Sequence, residues 1–328
     1  MRDFRSILNI IGILICIEAV AMLIPMLFDL YYGNYDWLQF FYSSLITFFI
    51  GIILYFSFRK KNIKLGIRQA FLLTISSWLV ISIFGAIPFI YSSSSLSYTD
   101  AFFESVSGIT TTGSTVINNL ENLSEGILIW RSLLQWFGGI GIIVLAMAIL
   151  PTLQIGGMQL LHMEHDDPYE KTIPKVNRFV LELFLLYVSL SIVCGLLYYI
   201  NGMKGFDSVI HSMTTISTGG FSNYDQSFSY FNSFQIETIS VFFMLIGSLP
   251  FVLYLQFIHK QKKLIFRDDQ IKLFFVILFI IIILTTLWLN TNKSLDLFSS
   301  FRIALFNITS ILTGTGYTSS NFSNWGSF

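Results

Sequence analysis

Three short runs of small hydroxyl and glycine residues carry what chemistry this chain can offer. They are Thr110-Thr111-Thr112-Gly113-Ser114-Thr115, Ile216-Ser217-Thr218-Gly219-Gly220-Phe221 and Thr313-Gly314-Thr315-Gly316-Tyr317. None contains a nucleophile beside a base or a set of metal-ligating side chains, so covalent catalysis has no material there. What they do contain is backbone. Glycine adopts φ/ψ values closed to other residues, and carbonyls turned inward from several loops replace the water shell of a cation. Thr111, Thr112, Gly113, Ser217, Thr218, Gly219, Gly314, Thr315 and Gly316 are therefore the candidate ion-binding residues. Gly113, Gly219 and Gly316 are expected to need glycine for a positive φ.

A short apolar stretch precedes each run: Asp100 to Ser107, Asp207 to Met213, and Ala304 to Ser310. Half-helices of this kind point their partly negative C-terminal ends at the loop, which favours a cation. Gly113, Gly219 and Gly316 stand 106 and 97 residues apart. That spacing reads as an internal repeat of membrane helix, half-helix, glycine loop and membrane helix.

The elements that must hold these loops lie in lipid. Of 328 residues, 54% are hydrophobic and 12% charged, with 19 basic against 19 acidic side chains, far from the ~25% charge of a soluble domain. The zero net charge and the absence of a basic face exclude a nucleic-acid binder. Seven stretches reach the roughly 20 apolar residues that a membrane helix needs: Ile7–Leu30, Phe40–Phe58, Ala70–Tyr91, Ile127–Leu150, Phe179–Ile200, Phe234–Ile258 and Ile271–Leu289. The first is too long for a signal peptide, and no cleavage site follows it. Fifteen of the 19 Lys and Arg fall before span one or after spans two, four and six. That bias places the N-terminus and those loops in the cytoplasm, and the glycine loops on the opposite side. Backbone that is neither helix nor barrel survives at membrane depth only where protein buries it or where it lines a watery path.

With the further motifs Trp130-Arg131-Ser132-Leu133-Leu134-Gln135-Trp136-Phe137-Gly138-Gly139-Ile140-Gly141-Ile142, Leu150-Pro151 and Gly156-Gly157-Met158-Gln159-Leu160-Leu161 before Pro174, the whole chain resembles the Trk-type potassium uptake membrane subunits of the Trk/Ktr/HKT superfamily. The resemblance implies an all-α polytopic membrane protein. Its units are an N-terminal helix pair (1–68), pore repeat one (69–177), repeat two (178–268) and part of repeat three (269–328). It implies K⁺ as the transported ion at the nine loop residues, no organic cofactor, a homodimer, a cytoplasmic nucleotide-binding ring as regulatory partner, and the bacterial inner membrane. The family has four repeats around a pseudo-fourfold pore, with an intramembrane gate and an Arg in later parts. Because residue 328 falls 12 positions after Gly316, a partial sequence is expected here, with a natural half-size subunit as the alternative. Residues 1–328 alone are expected to insert without transporting K⁺. A Na⁺-permeable relative and a non-conducting assembly subunit are the other two functions weighed. Gly113, where some Na⁺-selective members carry Ser, favours K⁺.

Other residues read as structural. Glu182 and Glu237 lie near span ends, within reach of water, whereas Glu18 sits nearer mid-span without a role. Arg131 is expected to pair with Glu104 or Asp100. His211 occupies the half-helix position of Glu104 and Asn307, and is expected to pack rather than to bind the ion. His162-Met163-Glu164-His165-Asp166-Asp167 does not have the zinc-protease spacing. Cys16 and Cys194 sit in apolar runs, too few for a disulfide scaffold.

Overall fold

The computed structural model describes residues 4–59, 67–153, 172–258, 268–322 and 325–326. These form helices α1 (Arg5–Ala21), α2 (Leu23–Tyr32), α3 (Trp37–Ser57), α4 (Ile67–Gly85), α5 (Ile87–Tyr91), α6 (Tyr98–Ile109), α7 (Glu125–Leu153), α8 (Thr172–Ile200), α9 (Gly205–Ile216), α10 (Phe234–Ser248), α11 (Phe251–Ile258), α12 (Asp269–Lys293) and α13 (Leu297–Leu312), with no strand among the described residues. Lipid explains the composition of this set. A helix satisfies its own peptide groups, so the apolar runs need no partner for their backbone.

Five segments are helices long and apolar enough to cross a membrane: Arg5–Tyr32, Trp37–Ser57, Arg68–Tyr91, Val180–Ile200 and Asp269–Lys293. The stretch 127–150 lies within the 29-residue helix α7, about 44 Å long at the usual rise. The expected single span Phe234–Ile258 is instead two helices. Pro250 offers no N–H to continue the first, and Leu249 before it takes the extended conformation (φ −81°, ψ 150°) that a following proline favours.

Two compact units divide the chain: Met1–Thr110 with Ser114–Ile173, and Thr111–Gly113 with Pro174–Phe328. In the first unit α1 packs on α3 and α4, and α6 on α4 and α7. Ile7, Ile11 and Ile15 meet Leu54, Leu73, Val80 and Phe84. The α1/α3 crossing is close. A β-carbon on Gly51 would stand 2.7 Å from Cys16 Sγ and 3.0 Å from the Gly12 carbonyl, the small-residue contact that membrane helices use where burial of apolar surface gives no drive. Two carboxylates, on α2 and at the start of α3, bond the segments before α6 and at the start of α7. Asp29 accepts the Gly126 amide at 2.7 Å at the start of α7, and Asp36 accepts the Ser93 amide at 2.9 Å and the Ser124 hydroxyl at 2.8 Å.

In the second unit α13 packs on α10 and α12, where Leu278, Ile282 and Ala304 form a core with Leu245, Phe274 and Leu312. Arg302 on α13 reaches across to α10 and donates to both carboxylate oxygens of Glu237, at 2.8 and 2.9 Å. Glu237 is therefore buried and ion-paired. The expectation that it reaches water fails because α13 packs over it. Glu182 follows the expectation more closely, lying near a span end and paired with Arg178 at 2.9 Å.

Candidate functional site

Each glycine loop is launched by a helix too short to span the membrane: 12 residues in α6, 12 in α9 and 16 in α13, against the ~20 that a crossing needs. Their starts follow ordinary capping chemistry. Ser97 accepts the Asp100 amide at 3.2 Å, and Asp296 accepts the Ser299 amide at 3.0 Å. Hydrogen bonds from the Ser299 hydroxyl and amide hold the Asp296 carboxyl below the usual carboxylate range. A carboxylate at a helix N-terminus also complements the macrodipole.

Past the helices, the three loops repeat one backbone pattern residue by residue. Thr110, Ser217 and Thr313 close the helices near the right-handed region, at φ −83°, −74° and −79°. The next residues, Thr111, Thr218 and Gly314, switch to φ 56°, 50° and 78°. After one intervening residue, Gly113, Gly220 and Gly316 are again positive, at 80°, 77° and 84°. This sets the register. The triplets are Thr111-Thr112-Gly113, Thr218-Gly219-Gly220 and Gly314-Thr315-Gly316, so the second candidate triplet moves one residue on from Ser217. Gly219 is not a positive-φ residue, contrary to expectation, and Gly220 takes that place. A β-branched residue at positive φ is a genuine outlier. Its cost of roughly 1 to 3 kcal/mol is typically found at functional sites, and Thr111 and Thr218 both bear it.

The loops converge within the second unit, to which Thr111–Gly113 belongs. A β-carbon on Gly113 would overlap the Gly219 carbonyl oxygen and stand 3.6 Å from the Thr315 carbonyl oxygen. A β-carbon on Gly220 would in turn overlap the Thr315 carbonyl oxygen. The middle carbonyls of loops two and three thus lie against the last glycines of loops one and two. Around Gly316 no described atom stands within 4 Å of where a β-carbon would be. The series 1→2→3 is contiguous, and its next step is open.

Behind the loops, one helical position does the same work with three side chains. Glu104, His211 and Asn307 are all fully buried, each five residues before the end of its half-helix, and each holds the strand that leaves the loop. Glu104 accepts the Thr115 hydroxyl at 3.0 Å and the Val116 amide at 3.2 Å. His211 Nδ1–H donates to the Asp207 carbonyl at 2.8 Å, and its Nε2 meets the Ser222 hydroxyl at 3.1 Å. Asn307 donates to the Ser319 hydroxyl at 2.8 Å and accepts the Ser319 amide at 3.1 Å. The rings of Phe228 and Phe231 stand edge-on to His211, so this histidine packs, as the sequence suggested. Arg131 on α7 completes the first set, its Nε 2.7 Å from Glu104; of the two expected partners, Glu104 makes this ion pair. Tyr317 reaches from loop three to α9, where its hydroxyl meets Thr214 and Thr215.

Asn307→Leu keeps the volume and removes the tie. The Ser319 amide and hydroxyl then lose a buried partner, at about 1 to 3 kcal/mol. A lower Tm of the purified protein is expected, together with a loop three that no longer holds its carbonyl in place. An unchanged Tm would show that Asn307 does not support the strand.

Among the described residues no group of three or more His, Cys, Asp or Glu is placed to hold a metal ion. The segment His162–Asp167, the Gly156–Leu161 motif and the basic residues Lys60, Lys61, Lys64, Lys171, Lys260, Lys262, Lys263 and Arg267 lie outside the described residues.

Comparison with known proteins points the same way. The TrkH family model, described as a cation transport protein, matches residues 38–328. The Trk system potassium uptake protein TrkI of Halomonas elongata is 37% identical over 327 residues, covering 99% of this chain and 66% of that relative. TrkH of Escherichia coli is 38% identical over 328 residues, covering 98% and 68%. The crystal structure of the potassium transporter TrkH from Vibrio parahaemolyticus superposes with a TM-score of 0.89 at 36% identity, covering 99% of this chain and 67% of that one. The chain spans about two thirds of the length of the curated relatives it matches.

Proposed function

Because this chain belongs to the TrkH family of cation transport proteins, we propose that it carries K⁺ across the bacterial inner membrane through a ring of backbone carbonyls. One observation supports this above all. The Gly219 and Thr315 carbonyl oxygens crowd the glycines of the neighbouring loops at Gly113 and Gly220, so backbone carbonyls stand where the three loops meet. A dehydrated cation at that point exchanges water oxygens for carbonyl oxygens, and no bond is made or broken. The transported ion is cargo, held by dipoles alone, since the triplets carry no charged residue.

Thr112, Gly219 and Thr315, the middle residues of the triplets, supply the inward carbonyls, and Gly113, Gly220 and Gly316 leave room for them. Thr111, Thr218 and Gly314 make the turn that brings the strand to the axis. A pseudo-fourfold ring takes its fourth side beside Gly316, where the described residues leave space. The relatives' names support K⁺ over Na⁺, as does Gly113. Uptake of Rb⁺ tests the reading. In a bacterial strain stripped of its own K⁺ uptake, expression of the protein from its native gene is expected to restore growth at low K⁺ and to drive Rb⁺ uptake that K⁺ competes and Na⁺ does not. Equal competition by Na⁺ would favour the Na⁺-permeable alternative, and no uptake the non-conducting one.

The positive charge of the segments after spans two, four and six supports a cytoplasmic side for them and for the N-terminus. By their charge in the sequence, we assign the segments 151–178 and 259–272 to binding of the cytoplasmic nucleotide-binding ring that the resemblance to Trk systems implies, with a second copy of the chain as the homodimer partner. Reversing the charge of Lys260, Lys262 and Lys263 is expected to weaken binding of the purified ring. Unaffected ring binding with altered membrane insertion would assign those lysines to anionic lipid headgroups.

A further inference from the structure

Where α1 crosses α3, the pair leaves a groove on its outer face. The crossing is tight because two glycines meet there: a β-carbon on Gly12 would stand 2.7 Å from the Tyr55 amide nitrogen and 2.9 Å from the Gly51 carbonyl oxygen. Larger side chains flank that seam. Ile13, Cys16, Ile17 and Val20, on one face of α1, and Phe48 and Tyr55 of α3 line an open groove of about 400 Å³. Ile13, Ile17, Val20 and Phe48 are exposed. Two hydrogen bonds give the register of the antiparallel pair, Asn9 Nδ2 to the Tyr55 carbonyl at 2.9 Å and Ser44 Oγ to the Ala19 carbonyl at 2.7 Å. Four residues further out from Asn9 and Tyr55 stand Arg5 and Arg59, at one end of the pair. Both are exposed, and no carboxylate pairs with either among the described residues.

We propose that this groove holds an acyl chain of an anionic phospholipid whose phosphate lies at Arg5 and Arg59. Length points to a lipid chain. From the level of Tyr55, beside Asn9, to Val20 the groove follows α1 for about 16 Å at the usual rise, half of the roughly 30 Å hydrocarbon core. That is the depth of one leaflet, whereas a neighbouring membrane helix would need the whole thickness. Charge sets the headgroup. Guanidinium groups pair with phosphate through parallel hydrogen bonds, and basic residues at the end of a membrane helix draw anionic lipid. The sequence continues with Lys60 and Lys61, on the side whose charge supports a cytoplasmic assignment. Tyr55, an amphipathic ring of the kind enriched at the membrane–water interface, closes the groove at its arginine end. The site depends on α1 and α3 lying in the membrane and not on the carbonyl ring.

Photo-crosslinking in vesicles tests this with the full protein expressed from its native gene. Phosphatidylglycerol and phosphatidylcholine, each carrying the same diazirine-bearing acyl chain, are supplied as traces in otherwise identical phosphatidylcholine vesicles. After illumination, label from phosphatidylglycerol on residues 13–20 and 48–55 is expected to exceed label from phosphatidylcholine by about tenfold, the scale that two basic side chains give at an anionic headgroup. Arg5→Gln with Arg59→Gln should bring the two lipids near parity. Val20→Trp, whose indole occupies the groove from an exposed position, should remove the label from both. The outward face of α12 at Leu273 and Phe279, also exposed, serves as the reference and should take both lipids equally in every variant. Equal label from the two headgroups in the unaltered protein, or the same preference at α12 as at α1 and α3, would overturn the proposal. So would a Cys16–Cys16 crosslink between two copies in place of lipid label, which would give the groove to a second chain. Nothing in this readout involves K⁺, so failure of transport and failure of this site are separately visible.

Discussion

Replacing Gly220 with alanine is expected to remove most of the discrimination between K⁺ and Na⁺ while leaving the protein in the membrane. Two penalties coincide. At φ 77° a β-carbon strains the backbone by roughly 1 to 3 kcal/mol, and that carbon would overlap the Thr315 carbonyl oxygen of the next loop. The backbone relieves both by rotating a carbonyl off the axis. Since 1.4 kcal/mol corresponds to about tenfold in an equilibrium, Rb⁺ uptake competed by Na⁺ should show the K⁺ preference falling at least tenfold. Gly113→Ser should act in the same direction, because its β-carbon would overlap the Gly219 carbonyl. Gly219→Ala makes the internal comparison, since Gly219 has no positive φ and should tolerate the change better than Gly220. Equal losses at Gly219 and Gly220 would contradict the register assigned to loop two.

The second large effect is expected at the ion pair behind loop one. Arg131 and Glu104 have side chains 2% and 0% exposed and stand 2.7 Å apart. Truncating one partner of a buried pair strands the other charge, at about 3 to 5 kcal/mol. Arg131→Leu is therefore expected to lower Tm sharply and to reduce the amount of protein recovered from membranes. The double variant Arg131→Leu with Glu104→Gln should recover much of the loss, because the carboxamide still accepts from Thr115 and Val116 without a charge to bury. If the double variant is no better than Arg131→Leu alone, the stranded charge is not the cause.

Much of this site was legible in the sequence, for reasons that can be named. Half-helix and loop repeat with nearly the same spacing, so Glu104, His211 and Asn307 fall on equivalent positions in the sequence, and Glu104 and Asp100 are the candidate partners of Arg131 because few charges lie inside apolar runs; the structure selects Glu104. The register of loop two was not legible. Ser217-Thr218-Gly219-Gly220 offers two glycines in a row, and only the sign of φ at Thr218 and Gly220 tells which one ends the triplet. Glu237 and Arg302 are 65 residues apart, a distance over which spacing says nothing about contact. Pro250 is a readable signal in the sequence: a proline within an apolar run marks a helix boundary, and one helix ends before it and the next begins after it.

The most direct test of the carbonyl ring is to see the ion in it. Crystals of the protein isolated from its native membrane, grown in Rb⁺ and measured at the rubidium absorption edge, are predicted to show an anomalous peak on the axis bounded by the carbonyl oxygens of Thr112, Gly219 and Thr315, with no carboxylate in contact with it. An anomalous peak held only by side-chain carboxylates, with the three carbonyls facing protein, would contradict the account.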